Sequence, residues 1–329
     1  YDSMWNVAEE ILPTGAVTRY TYDQNNRLKR VELCENETTS PTAIQENTYD
    51  PAGNLLCTKA GEYIQDTPAD IRVMTSMTYT YDALNRPVSA TDAGGHTTRY
   101  AYDPLGNLTT VTDPNGNTMT FRYNAAGELT EKTDIHGCTT RYTYNSLGQV
   151  ETITDPDGNT TTHEYAPGGR HIRTTYPGGS SITYTYDAGG RVKTRQHSSG
   201  YTLTYTYDSL GRITEVTSSK NQKKTYAYDP MGNVTAATDA NGNTTRYTYT
   251  MGGKPATVTD PMGNTTEYAY DPLDNLTAIR RKGNSGGKDH ATVYERDPFG
   301  RVLCITDPLG RKEHFRYDAL GRPVWKKDR

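Results

Sequence analysis

The sequence predicts an all-β protein, a sheet of sequential antiparallel hairpins, on three observations. The first is a period. Tyr81, Tyr102, Tyr123, Tyr144, Tyr165, Tyr186, Tyr207, Tyr228, Tyr249 and Tyr270 follow one another at an unbroken spacing of 21 residues. The second is punctuation: each period carries two turn signals, Asp-x-x-Gly-Arg/Asn and Asp-Pro-x-Gly-Asn, with a short β-prone run between them. The third is composition. Val, Leu, Ile and Phe are only 45 of 329 residues, far below the globular norm. Such a shortage with high net charge marks disorder, but here the net charge is −4 and 27 tyrosines supply apolar area. A folded, turn-rich chain results, with rings in place of an aliphatic core.

The elements follow in order along the chain. Residues 5–12 have helical propensity. Counted from Tyr1, however, Pro13-Thr14-Gly15 falls where later copies have Pro-x-Gly, and Tyr20 and Tyr22 fall in register. The repeat therefore makes residues 5–12 a strand. Three intervals are stretched, Tyr22 to Tyr49 by six residues, Tyr49 to Tyr81 by eleven and Tyr270 to Arg296 by five. The extra residues include 36–43, 65–71 and 283–288, which are polar or Gly-rich and read as lengthened loops.

Beyond these, Thr97–Tyr102 alternates ring with small or polar residue, the mark of a strand packed on one face. Asp103-Pro104-Leu105-Gly106-Asn107 is a turn: Asp can bond its own backbone, Pro presets φ, and Gly accepts positive φ. Leu108–Thr112 is the second strand, and Asp113-Pro114-Asn115-Gly116-Asn117 turns the chain again. Leu108 and Val111 are three apart and would face opposite sides of a regular strand, so a bulge or a two-sided strand is required. Tyr317 and the residues after it still read as an internal copy.

The structural positions implied are ring anchors at Tyr22, Tyr81, Tyr102, Tyr123, Tyr144, Tyr186, Tyr207, Tyr228, Tyr249, Tyr270 and Tyr317. The turn residues are Asp103, Gly106, Asp113, Gly116, Asp208, Gly211, Asp229 and Gly232. Residues present in nearly every copy pack; recognition residues vary between copies. That argues against the tyrosines as a sugar-stacking platform. The turn aspartates read as Asx-turns, since the Gly-Gly-x-Gly-x-Asp pattern of calcium-binding solenoids is missing. They supply many carboxylate pairs, none singled out for acid–base work.

Other classes drop out. The seven histidines, His96, His136, His163, His171, His197, His290 and His314, are scattered, with no HExxH or Cys/His cluster. No GxSxG or phosphate-cradling loop is present. No catalytic residue, cofactor or metal ligand is therefore assigned. Cys34, Cys57, Cys138 and Cys304 have no framework spacing and no CxxC, which fits folding in a reducing compartment. A slightly acidic balance gives no footprint for nucleic acid, and no apolar run is long enough for a membrane helix. The chain opens Tyr1-Asp2 without a signal segment, so a preceding native N-terminus is expected. Asn-x-Thr sequons such as Asn107-Leu108-Thr109 arise from the turn itself.

The unit Tyr-x-Tyr-Asp-x-x-Gly-Arg/Asn-Leu-Thr-x-Val-Thr-Asp-Pro-x-Gly-Asn resembles the tyrosine–aspartate (YD) repeat of Rhs proteins, shared with the B/C components of bacterial Tc toxins and with teneurins. Tyr102-Asp103-Pro104-Leu105-Gly106-Asn107-Leu108, Tyr207-Asp208-Ser209-Leu210-Gly211-Arg212-Ile213 and Tyr317-Asp318-Ala319-Leu320-Gly321-Arg322-Pro323 carry the resemblance, which extends over residues 1–329. It implies a spiralling antiparallel β-sheet forming part of a hollow shell, with the chain as a slice of a larger array.

In bacterial relatives the shell encloses a C-terminal polymorphic toxin until delivery. The implied partners are that toxin domain, the remaining shell repeats, and a type VI secretion spike protein engaged through an N-terminal region. The implied location is the bacterial cytoplasm before secretion, and then outside the cell. Relatives cut themselves at an Asp-Pro-x-Gly-Leu sequence; at Asp307-Pro308-Leu309-Gly310 the next residue is Arg311, so no protease residue carries over. The expectation is a non-enzymatic, protective wall, with any catalytic residues of a parent protein beyond Arg329. The other class to weigh is a surface carbohydrate-binding or adhesion module. Exposed aromatics in the inserted loops would favour it, and Tyr63 is the one tyrosine there.

Overall fold

The computed structural model describes residues 1–38, 41–63, 71–283, 289–318 and 320–327. Among them are 29 strands, all in one antiparallel sheet. Two compact units divide the chain. One is residues 98–247; the other combines residues 1–97 with 248–329.

The hairpin that repeats through residues 98–247 shows why the sequence folds as it does. Strands β8 (Thr97–Tyr102) and β9 (Leu108–Thr112) are joined by residues 103–107. Asp103 N–H donates to Asn107 O at 2.9 Å and Gly106 N–H donates to Asp103 O at 3.0 Å, closing a three-residue loop. Gly106 sits at φ +93°, the left-handed conformation this loop demands of its last residue. Where glycine is absent from that slot, Trp5, Asn26, Asn85, Asn221 and Asp274 take positive φ there instead.

Each such hairpin also contains a bulge. Ala101 pairs with Thr110 but the next residue, Tyr102, pairs with Leu108, leaving Thr109 without an opposite number. The extra residue returns Leu108 and Val111 to one face, opposite Tyr102 and Tyr100. Of the two solutions the sequence leaves open, the protein uses the bulge. Thr109 Oγ1 donates to Ala101 O at 3.1 Å, and Thr130 Oγ1 does the same to Arg122 O at 3.2 Å.

Few side chains in this unit lose all contact with solvent. Ile182 is its one buried large apolar residue among those described, joined by Thr174, Ser181 and Ser218. The second unit is different. Its strands β2 (Val17–Tyr22), β3 (Leu28–Cys34), β4 (Ala43–Tyr49) and β27 (Val302–Thr306) bury Val17, Cys34, Ala43, Ile44 and Cys304.

The reason lies in its two chain segments. Thr14 Oγ1 donates to Pro298 O at 2.7 Å. A cavity of about 530 Å³ has Val31, Leu33, Ala43, Ile44 and Ala60 on one side and Phe299, Tyr317 and Leu320 on the other. Turn residues of the last repeats thus cover a sheet face of the first ones, adding a second layer.

Two sequence expectations need correction. Residues 5–12 are not one strand: residues 2–6 form a turn, closed by Trp5 N–H to Asp2 O at 3.2 Å, and only Glu9–Ile11 pairs, as β1. Asp2 starts the same motif as Asp103, with Trp5 in the glycine slot at φ +65°. The repeat register held, but it places a turn where the strand was expected.

The inserts also do more than lengthen loops. Strands β5 (Leu55–Tyr63) and β6 (Ile71–Tyr81) grow to 9 and 11 residues, so part of the longest insert extends a hairpin. Tyr63 belongs to that ladder, paired with Ile71, rather than to a loop. Ala43 opens β4 and is buried. Residues 39–40, 65–70 and 284–288 of the inserts lie outside the described residues.

Candidate functional site

The recurring chemistry of the chain sits at two places in each repeat, the anchor ring and the turn that follows it. The anchor hydroxyl reaches back across the sheet. Tyr123 OH donates to Leu108 O at 2.9 Å, Tyr144 to Leu129 O at 2.8 Å, Tyr207 to Val192 O at 2.7 Å and Tyr228 to Ile213 O at 2.7 Å. Tyr22, Tyr186, Tyr270 and Tyr317 make the equivalent bond to Val7, His171, Pro255 and Val302. Inserts do not displace it: Tyr49 OH meets Leu28 O and Tyr81 OH meets Leu55 O, both at 2.8 Å, across 21 and 26 residues of chain. Burial pushes the Tyr144 and Tyr207 hydroxyls above their ordinary pKa.

Arg296 is the informative exception. It occupies an anchor position and its Nε and Nη2 donate to Leu276 O at 3.1 and 2.9 Å. A guanidinium therefore reaches the same carbonyl that a phenol reaches elsewhere. Tyr102 and Tyr249 end strands β8 and β22 (Thr244–Tyr249), in the same position of their repeats.

The turn aspartates are fully engaged by their own loops. Asp103 accepts from Asn107 N at 2.8 Å through Oδ1 and from Asn107 Nδ2 at 2.9 Å through Oδ2. Asp113 and Asp229 do likewise with Asn117 and Asn233. Asp208 accepts from Leu210 N, Arg212 N and Arg212 Nε at 2.9, 2.9 and 2.6 Å. These donors hold the carboxyls below the ordinary aspartate value, through the side-chain amide of Asn107 at Asp103 and the backbone N–H of Arg212 at Asp208. Gly116, Gly211 and Gly232 take positive φ in the slot of Gly106.

Arginine at the end of the turn adds a link to the backbone of the next turn, where Asn54 reaches instead the side chain of Asn85. Arg212 Nη1 donates forward to Asp229 O at 3.0 Å, and its guanidinium lies 4.7 Å from the centre of the Tyr228 ring. Arg27 repeats this with Asp50 O and Tyr49, and Arg191 with Asp208 O and Tyr207. Anchor tyrosines thus bond backward to the preceding repeat while turn arginines bond forward to the next. The sequence displayed the Arg/Asn alternation at this slot, and only the geometry gives it meaning.

No catalytic constellation emerges from these groups. Asp307 is buried, and Leu309 N, Arg311 N and Arg311 Nε occupy its oxygens at 2.9, 2.9 and 2.7 Å, as in any other turn. Among the described residues no group of three or more His, Cys, Asp or Glu could hold a metal ion. No helix among them is long and apolar enough to cross a membrane. One cluster escaped the sequence reading: His163, His171 and Thr174 meet on neighbouring strands. The departure of His163 and His171 from the rings and aliphatic residues of neighbouring copies at the same slots was the available signal.

Comparison with known proteins places this arrangement. The RHS Repeat family matches residues 81–118, 123–165 and 296–324, and the teneurin YD-shell family matches residues 174–285. Among solved structures, the crystal structure of TcdB2-TccC3-TEV aligns with a TM-score of 0.57 at 16% identity, over 94% of this chain and 21% of that one. TcdB2-TccC3-Cdc42 aligns with a TM-score of 0.56 at 17% identity, over 94% and 21%. TcdB2-TccC3 without its hypervariable C-terminal region gives 0.55 at 15%, over 95% and 21%. This chain spans about a fifth of the length of those chains. No curated protein matches the sequence. In fold the chain is like those TcdB2-TccC3 structures, and by its repeats it is an RHS, or YD, repeat protein.

Proposed function

We propose that this chain is a wall segment of a larger YD-repeat shell that encloses a toxin effector until delivery. The mechanism is steric: the wall keeps the enclosed domain from its substrates and performs no bond chemistry itself. The observation that carries this reading is the consumption of the repeated polar groups by the sheet. Anchor hydroxyls, turn carboxylates and turn guanidiniums bind neighbouring strands and loops, so the recurring chemistry holds a surface together rather than converging on a ligand. The likeness in fold to TcdB2-TccC3 supports a shell. The proposed partners are a toxin domain C-terminal to the array, further repeats of the same parent, and a type VI secretion spike reached through its N-terminal region. The proposed site of assembly is the bacterial cytoplasm.

The test is intact-mass analysis of the parent protein, purified natively and then denatured. A second polypeptide retained until denaturation is the expected result, and its mass identifies the cargo. A parent that retains no second chain and contains no further domain would overturn enclosure and favour a surface-binding module.

A further inference from the structure

The repeat beginning at Tyr165 departs from its neighbours in both turns and on its packed face. Ala166 stands where Asp103 stands in its own copy, and Tyr176 stands where Asp113 does. Neither turn therefore has a side chain to accept from its own backbone. Both close through glycine pairs, Gly168-Gly169 and Gly178-Gly179, at φ from +82° to +94°. On the strands, His163 of β14 (Thr160–Tyr165) occupies the slot of Phe121, Tyr142 and Tyr184. His171 of β15 (His171–Thr175) occupies that of Leu108 and Val150, and Thr174 that of Val111 and Ile153.

These substitutions meet. His163 Nδ1 is 3.1 Å from Thr174 Oγ1, and His171 Nε2 is 3.0 Å from the same hydroxyl. Thr174 is 5% exposed and the imidazole centres are 5.4 Å apart. The His171 ring also lies 5.4 Å from those of Tyr165 and Tyr184.

The surrounding groups offer no counter-charge. Glu164 and Arg173 follow and precede the cluster residues in the chain, point to the opposite face, and pair with each other at 3.7 Å. Glu151, at the bulge of β13 (Val150–Thr154), is exposed to solvent. Arg170, entering β15, has Ala166 in place of a turn carboxylate and lies over the Tyr186 ring at 5.0 Å. Strand β16 (Ser181–Tyr186) brings Ile182, Tyr184 and Tyr186 to the cluster's side. One hydroxyl can accept from one imidazole and donate to the other while both are neutral. With both charged, two cations share one acceptor beside a third cation at Arg170.

We propose that His163 and His171 make this repeat a proton-operated weak point, at which acid loosens the hairpins of β14, β15 and β16 while repeats elsewhere in residues 98–247 hold. The sign follows from the fold's preference. Burial, and then the neighbouring His171, hold His163 below its ordinary pKa, so folding favours the neutral ring. That contribution is complete above the ordinary histidine value and is lost as pH falls below it through the lower folded value. This inference concerns the wall alone and stands whether or not the shell holds a cargo.

Hydrogen–deuterium exchange on the 329-residue chain, corrected for intrinsic rates and run at about pH 7.5 and about pH 5.5, tests it. Peptides over residues 160–186 are expected to lose protection about tenfold in acid, while peptides over residues 202–228 change little. His163→Tyr with His171→Leu restores the residues of other copies and is expected to abolish the loss. His163→Phe with His171→Val serves the same purpose with different packing. Equal losses in the two regions, or a loss that survives both double variants, would overturn the proposal.

Discussion

Residues 98–247 and the unit built from residues 1–97 and 248–329 run one repeat but bury it differently. In the first, strands stay half-exposed and Ile182 is the one buried large apolar residue among those described. In the second, Phe299 and Leu320 meet Val31, Leu33 and Ile44 across a cavity, and Val17, Cys34 and Cys304 vanish from solvent. The lesson is that a YD repeat is held within its sheet by hydrogen bonds and gains a hydrophobic core where another stretch covers it. A repeat's stability is then a local sum of strand pairing and neighbour terms, to which a second layer adds.

The sharpest way to break that comparison is to cut the same kind of side chain from each unit. Ile44→Ala, at 2% exposure, is expected to cost about 2–5 kcal/mol. The half-buried Ile153→Ala in residues 98–247 is expected to cost about half that or less. Local exchange protection of β4 and β13 measures both, and equal costs would remove the distinction.

Next in size comes the turn. Gly106→Val forces a β-branched residue to φ +93° and is expected to cost about 1–3 kcal/mol. Gly106→Asn should cost much less, since Asn26 and Asn85 already adopt positive φ in that slot. Because this cost is set inside one hairpin, the equivalent substitution at Gly310 in the other unit should match it. Urea titration followed by exchange at each hairpin provides the comparison.

Smaller again is the loss of one backward bond. Tyr144→Phe keeps the ring and removes the donor to Leu129 O, an expected loss of about 0.5–1.5 kcal/mol. Arg296→Leu should cost at least as much, because two donors to Leu276 O disappear, and Arg296→Tyr should recover part of it.

The smallest single effects belong to the turn carboxylates, which separate one repeat from the others by pH rather than by size. Asp103, Asp113 and Asp208 are held below their ordinary pKa, so their contribution is complete above about pH 4 and fades as pH falls through the folded values. Asp208→Asn should flatten the acid limb of stability slightly and leave neutral pH nearly unchanged. The repeat with Ala166 and Tyr176 lacks this limb and should respond instead in the histidine range.

Much of the array was legible because its determinants are local. An Asp and a Gly three residues apart close a loop whichever repeat they belong to, as residues 2–6 show with Trp5 in place of glycine. The same locality makes residues 2–6 a turn that neither helix propensity nor the strand register announces, because Trp5 stands in the glycine slot. Arg296 was visible as a member of the period, yet a guanidinium replacing a phenol at a carbonyl can be recognised only from the acceptor it shares. The inserts misled because extra residues in a hairpin can extend the ladder as well as the loop, and β5 and β6 do so.

The hairpin follows from the amino-acid sequence alone: its loop closure, the alternation of packed and open faces, and a mismatch at Leu108 and Val111 that either a bulge or a two-sided strand would meet. All of these arise from hydrogen bonds and steric limits spanning a few residues, or from one repeat against the next. Tertiary structure alone decided which repeats acquire a second layer, as Thr14 and Pro298 meet across 284 residues of chain. It also decided that His163 and His171, on separate strands, share one hydroxyl. A repeating sequence presents nearly the same face in every copy; which face is covered depends on the path of the whole backbone, which the 21-residue period does not encode.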